Sequence, residues 1–292
     1  MKLTNRNGLP QPIVDAVSNH EYIGGGSGVI SVTTLIDSPL IAHLKRVHDA
    51  EIEEDVSDRI YALMGSAIHG ILEKADTTAI TEKRLTIDVD GVKISGQLDR
   101  LALISDKGGV AGCLQDYKVC SIWEYIYGLK KDRENQLNVY TYILRQHGYK
   151  VARLQIVQIF RDWMKTKAIN DSGYPQTQVA VVNVPLWPEE KQLMYIKERI
   201  TAHKALEVPE CTREEKWQSD DTYAVMKEGR KTALRVLNNI DDAERWMTDN
   251  VKPDKLSKHS IVKRPGTAKR CMMYCQVSPF CPYFKPEESD EM

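Results

Sequence analysis

Residues 84–105, RLTIDVDGVKISGQLDRLALIS, set the chain's hydrophobic period to two. Leu85, Ile87 and Val89 alternate with polar residues up to Asp90-Gly91, and a second alternating run starts at Val92. Two such runs about an Asp-Gly pair predict a β-hairpin, because both turn residues tolerate the left-handed backbone that a tight hairpin needs. The second run passes through Asp99 and breaks at DKGG, residues 106–109; VAGCLQDYKVC, residues 110–120, reads as the next strand. Upstream, Ile60, Leu63, Met64, Ala67, Ile71 and Leu72 recur at helical spacing and predict a helix from about Val56 to Lys74. Before it, Thr34 or Asp37 would cap a short helix with Leu40, Leu44 and Val47 on one face. Downstream come a helix from about Arg133 to Gln146 with Leu137, Tyr140 and Leu144 inward, and strands in residues 151–160 and 179–187. A helix from about Pro188 to Leu206 closes the series. This order predicts an α/β fold, a mixed central sheet flanked by helices.

The predicted divisions are a flexible entry over residues 1–29, a core over 30–206, a helical and cysteine-bearing module over 207–284, and a disordered acidic tail over 285–292. GGGSG, Gly24–Gly28, lacks a following Gly-Lys-Ser/Thr and is no phosphate loop. No apolar run nears the roughly 20 residues of a membrane helix, so no membrane partner is expected. The first residues have no apolar signal core, and six cysteines are few for a disulfide scaffold. A reducing cytoplasm is expected, that of the host if the chain is phage-encoded. The formal net charge of −1 excludes a uniformly basic surface, but Lys252–Arg270 carries seven cations and one acid, Asp254. Residues 50–58, AEIEEDVSD, are acidic.

Four short pieces carry candidate chemistry. In LQDYKV, Asp116 and Lys118 leave one face of a strand, with Tyr117 on the other. A carboxylate that holds a divalent cation beside an amine that orients water or stabilises charge suits phosphodiester hydrolysis. Asp99, one strand earlier, can bring a second carboxylate, and two acids at one point call for a cation between them. His69 and Glu73 share a helix face, His69 as a further ligand and Glu73 as its partner or a second ligand. Gln136 and Tyr140 share another face, positioned for a phosphate or a bound water.

In this order the pieces read G-x-x-x-H-x-x-x-E on a helix, G-x-x-D on a strand, D-x-K on a strand and Q-x-x-x-Y on a helix. Over roughly residues 30–206 the chain resembles the RecB-like branch of the PD-(D/E)XK nucleases, which includes the CRISPR adaptation nucleases and many phage exonucleases. The resemblance implies a restriction-endonuclease-like core and a Mg²⁺- or Mn²⁺-dependent deoxyribonuclease, acting as an exonuclease in phage DNA recombination or degradation. It implies His69, Asp99 and Asp116 as metal ligands, with the Tyr117 carbonyl joining them. Lys118 would be the catalytic lysine, supported by Gln136, Tyr140 and Glu73. DNA would be the substrate and a recombination or replication protein a partner. The alternative is a non-catalytic nucleic-acid-binding or assembly protein on the same fold.

Cys271, Cys275 and Cys281 form a C-x3-C-x5-C run. Three thiols so close suggest metal binding. Some RecB-like members hold a [4Fe-4S] cluster on three clustered C-terminal cysteines and one distant one, and this run is similar. It departs in having three residues between the first pair and no cysteine near Ser38-Pro39, which leaves Cys211 as the candidate fourth ligand. Zn²⁺ is the alternative, with His259 as the other fourth ligand. The bound metal would tie the C-terminal module to the core. Cys113 and Cys120 read as packing residues.

Overall fold

A computed structural model describes residues 1–19, 26, 28–75, 78–106 and 109–285. Most of GGGSG and the acidic tail beyond Lys285 lie outside the described residues. The chain forms two compact units, Met1–Pro209 and Glu210–Met292, divided three residues beyond the expected boundary.

The first unit runs β1 (Lys2–Thr4), α1 (Gln11–Ser18), β2 (Val29–Ser31), α2 (Val32–Ile36), α3 (Pro39–Val47), β3 (Glu53–Asp55), α4 (Ile60–Ala75), β4 (Ile80–Val89), β5 (Val92–Asp106), β6 (Gly109–Cys120), α5 (Trp123–Ile126), α6 (Lys131–Gln146), β7 (Val151–Phe160), α7 (Lys165–Asn170), β8 (Val179–Val184) and α8 (Glu189–Lys204). It is an α/β fold with a mixed central sheet flanked by helices. The sheet order is β2-β5-β6-β7-β8, with β4 on the other edge of β5. The β2–β5 and β6–β7 pairs are parallel and the rest antiparallel.

The expected hairpin is β4–β5. Asp90 (φ 53°) and Gly91 (φ 76°) both sit in the left-handed region, and Gly91 N–H donates to Asp88 Oδ1 at 2.8 Å. The core gathers Ile94, Leu114, Leu137, Leu154, Ile156 and Ile196. Nine consecutive residues of α6, Gln136–Leu144, are buried because this helix contacts both the sheet and α8. Its fully buried Asn138 donates to Glu134 O and Pro185 O and accepts from Trp187 N and Gln192 Nε2, so every polar position of the amide is used.

Three expectations need correction. The entry segment carries β1 and α1; β1 pairs in parallel with β3, and the Asp55 carboxylate accepts hydrogen bonds from Thr4, Arg6 and Ser57. Asp55 in the acidic stretch is therefore a structural acceptor. The early helix splits in two, capped by Ser31 and Ser38 instead of Thr34 or Asp37, since Pro39 at the first helical position sets the second start. The helix expected from about Val56 starts at Ile60, after a short 3-10 turn over Val56–Arg59; none of its residues is buried, and Met64 and Ile71 are exposed.

The second unit holds β9 (Thr222–Lys227), β10 (Arg235–Leu237), α9 (Ile240–Asn250), β11 (His259–Arg264) and α10 (Lys269–Met273). A helical stretch is expected near Arg230–Met247; the helix found there, α9, starts later, at its Asn239 cap, whose Oδ1 accepts from Asp242 N, and β10 occupies part of the range before it, in an antiparallel sheet of order β10-β9-β11. Ala224 and Val225 on β9, Ala243 on α9 and Val277 are its fully buried apolar residues.

Candidate active site

β4 and β5 bring Glu82 directly opposite Asp99, since Thr81 pairs with Arg100 and Lys83 with Leu98. Glu82 takes φ 46°, a left-handed conformation in the middle of a strand. Its Oε2 accepts from Gln97 Nε2 at 2.7 Å, which fixes the carboxylate. Asp99 Oδ2 accepts from Tyr117 N at 2.7 Å, which ties β5 to β6 where their regular pairing begins.

His69 enters from α4. Its Nε2 lies 3.0 Å from Tyr117 O, a partner that can only accept, so Nε2 carries the proton. Nδ1 then faces two carboxylates, 3.6 Å from Glu82 Oε1 and 3.6 Å from Asp99 Oδ2. The ligand atoms of His69, Glu82 and Asp99 all lie within 4.8 Å of one another, and among the described residues they are the one such group of three. An imidazole lone pair aimed at two anions requires a positive species between them, a proton or a metal ion. The local electrostatics agree. Glu82, with burial opposing and Asp99 assisting, raises the proton affinity of His69. Burial works against ionisation of Glu82, yet His69 and Gln97 hold its carboxyl below the usual range. Burial pushes the Asp99 carboxyl up to about 7, and the negative charge of Asp116 adds to the rise.

Asp116 is buried on β6, and Lys118 Nζ lies 2.5 Å from its Oδ2, as their shared strand face predicts. The approach is off the hydrogen-bond direction, so Oδ2 has no hydrogen-bond donor. Asp116 stands outside the His69–Glu82–Asp99 group. The Tyr117 carbonyl is the acceptor for His69, and the Tyr117 ring meets the imidazole edge-on at 6.1 Å. Glu73, expected as the helix partner of His69, is exposed and outside the group; Glu82 from the sheet stands there instead. On α6, Gln136 Nε2 donates to Tyr140 Oη at 3.2 Å with both residues buried. The Tyr140 ring covers Gly96, where a Cβ would sit 2.6 Å from Cε1.

Sequence reasoning missed three further residues. Glu82 was findable by counting outward from the Asp90-Gly91 turn, which puts positions 82 and 99 opposite. Arg133, one turn before Gln136, is bound to Glu124 at 3.0 Å, and the charge of Asp116 reaches it. Gln158 pairs in register with Lys118 and is fully buried, with neither amide atom bonded. Nothing in its local pattern marked it. A cavity of about 430 Å³ lined by His43, Arg46, His203 and Lys204, among others, shares no residue with this group.

In the second unit, Cys211, Cys271, Cys275 and Cys281 are all partly exposed. Burial raises the Cys271 thiol, and Cys275 and Cys281 add to it. Both Cys211 and Cys271 act on Lys216. Arg270 N donates to Lys216 O, and Trp217 packs on Tyr274, which joins the Cys211 segment to the C-x3-C-x5-C run. No three of these sulfurs lie mutually within 4.8 Å. His259 Nδ1 donates to Lys255 O at 2.8 Å. Cys113 and Cys120 are buried on β6, Cys113 donating to Gln155 Oε1. In the basic stretch, Lys263 is paired with Asp221 at 2.8 Å, so part of its charge is neutralised within the unit.

No protein-family model matches the chain, and no curated protein does. The crystal structure of SSO0001 aligns over 65% of this chain and 83% of its own, at 18% identity and a TM-score of 0.43. No described helix is long and apolar enough to cross a membrane.

Proposed function

We propose that the chain is a divalent-metal-dependent deoxyribonuclease of the RecB-like PD-(D/E)XK kind, acting as an exonuclease. The observation that carries this reading is the His69–Glu82–Asp99 triangle beside the Asp116–Lys118 pair. His69 Nδ1 and the carboxylates of Glu82 and Asp99 would hold Mg²⁺ or Mn²⁺, with the remaining positions open to water and phosphate oxygens. The bound ion supplies Lewis acidity toward the scissile phosphate and acidifies water. Tyr117 orients the site, its carbonyl fixing the His69 tautomer and its N–H fixing Asp99. Asp116 holds the Lys118 ammonium at the site, where it offsets charge that builds on the phosphate. Arg133 adds a second cation on the α6 side, with Gln136 and Tyr140 further along that helix.

Cys211, Cys271, Cys275 and Cys281 are proposed to hold a [4Fe-4S] cluster. Four thiols of which no three lie mutually within 4.8 Å suit a multi-iron group better than one Zn²⁺ with four thiolates at about 2.3 Å. Such a cluster would clamp the Cys211 segment to the C-terminal run.

The test is cleavage of end-labelled DNA by anaerobically purified protein. The expected result is hydrolysis with Mn²⁺ or Mg²⁺, none in EDTA, and loss of about a hundredfold or more in Lys118→Ala. Unchanged cleavage in EDTA or in Lys118→Ala overturns the reading. For the cluster, colourless protein that contains zinc and no iron does the same.

A further inference from the structure

Immediately beyond the candidate active site lies a ridge of exposed rings and cations that the proposed chemistry leaves unused. β6 ends at Cys120, two residues or about 7 Å past Lys118, and α5 follows at once. Trp123 and Tyr127 stack with ring centres 5.6 Å apart and planes 18° apart, yet they are 49% and 82% exposed. Tyr125 anchors the turn, its ring edge-on to the buried Phe160 at the end of β7. Lys167 Nζ lies 5.9 Å from the Trp123 ring centre. On the helix that carries His69, Tyr61 is 60% exposed, with the Arg161 guanidinium 4.0 Å over its ring.

Of the two acids on the ridge, Glu124 is half-buried and Asp162 is exposed. Glu124 is bound to Arg133, and Asp162 accepts from Ser121 Oγ and Ile122 N. Arg161, Lys165 and Lys167 are left exposed on the outer side. The ridge stands at the carboxyl ends of the parallel strands β6 and β7, the side where open α/β sheets take their ligands. Flat exposed rings interleaved with the cations of Arg161, Lys165 and Lys167 match an unpaired polynucleotide: bases stack on the rings and phosphates meet the cations. A duplex keeps its bases stacked on one another and has no faces to offer.

We propose that Trp123 and Tyr127, with Lys167 and Arg161, form a stacking platform for the unpaired bases of single-stranded DNA at the active site. The proposal rests on the nuclease reading for its substrate, and its test is separable from that reading. Binding is measured in EDTA, where no cleavage is expected, by fluorescence anisotropy of a labelled oligothymidylate of about twenty nucleotides. The protein should prefer this oligomer to a duplex of the same length, and binding should weaken from about 50 to about 200 mM salt. The double variant Trp123→Ala/Tyr127→Ala should bind about ten- to a hundredfold more weakly, with its circular dichroism unchanged, since both rings are exposed. Trp123→Phe/Tyr127→Phe should retain most of the affinity. If the unaltered protein binds but never cleaves, the nuclease reading falls and the platform stands. Unaltered affinity in the double alanine variant, or equal affinity for the duplex, overturns the platform. So does the absence of any oligothymidylate binding, the outcome expected of a ridge that docks a protein.

Discussion

Glu82 is held in a left-handed conformation that costs an acidic residue about 1–3 kcal/mol, and it is held there opposite Asp99 and against His69. Two further links fix it, Gln97 to its carboxylate and Arg84 to Gln97. Glu82→Gln should therefore weaken Mn²⁺ binding about ten- to a hundredfold in calorimetry and reduce cleavage at least as much, while Glu73→Gln changes neither. Asp99 gives the site a pH signature. Its folded carboxyl titrates at about 7, above the unfolded value of about 3.9. The stability carried by its neutral form is complete below about pH 4 and is lost as pH rises through about 7. A divalent cation replaces that proton, so metal stabilisation should grow over the same interval. The Tm gain from Mn²⁺ should be larger near pH 8 than near pH 6, and Asp99→Asn should remove the difference; equal gains in the unaltered protein would take Asp99 out of the site.

At the scale of elements, Gly96 on β5 is where α6 meets the sheet. A Cβ there would lie 2.6 Å from Tyr140 Cε1 and 3.0 Å from Val32 Cγ2, so Gly96→Ala must displace the ring that Gln136 holds. The expected cost is about 1–3 kcal/mol in chemical denaturation, larger than for an alanine at the open Gly65. Long elements with a clean period were readable from composition alone: the β4–β5 hairpin, β6 with its Asp116–Lys118 face, and α6. Periodicity gives the helix but not how far it is covered, and Tyr61, Met64 and Ile71 of α4 are exposed. Its His69–Glu73 spacing likewise put both residues on one face but not which of them meets the sheet. The C-terminal strands escaped because they are short, three to six residues, and Arg235–Leu237 carries no alternation long enough to count. Gln158 escaped because its meaning lies in its neighbour on another strand, Lys118.

For the whole molecule, the two units carry separate candidate sites, the His69–Glu82–Asp99 group in Met1–Pro209 and the thiols of Cys211, Cys271, Cys275 and Cys281 in Glu210–Met292. Cys275→Ser should abolish iron binding and lower the melting of the second unit. Stability of the first unit should change by no more than about 0.5 kcal/mol if the two units melt independently. Protease resistance of the two units, followed by fragment mass, would check it; equal loss in both would show one cooperative structure.

The Asp90-Gly91 turn has a reach far beyond its own two residues. It works as a calliper: the length of the loop decides which residue of β4 stands against Asp99, eight positions and about 27 Å away. One residue added there would slide the register and swing the Glu82 carboxylate to the opposite side of the sheet. The ion would lose a ligand with every functional side chain still in the chain.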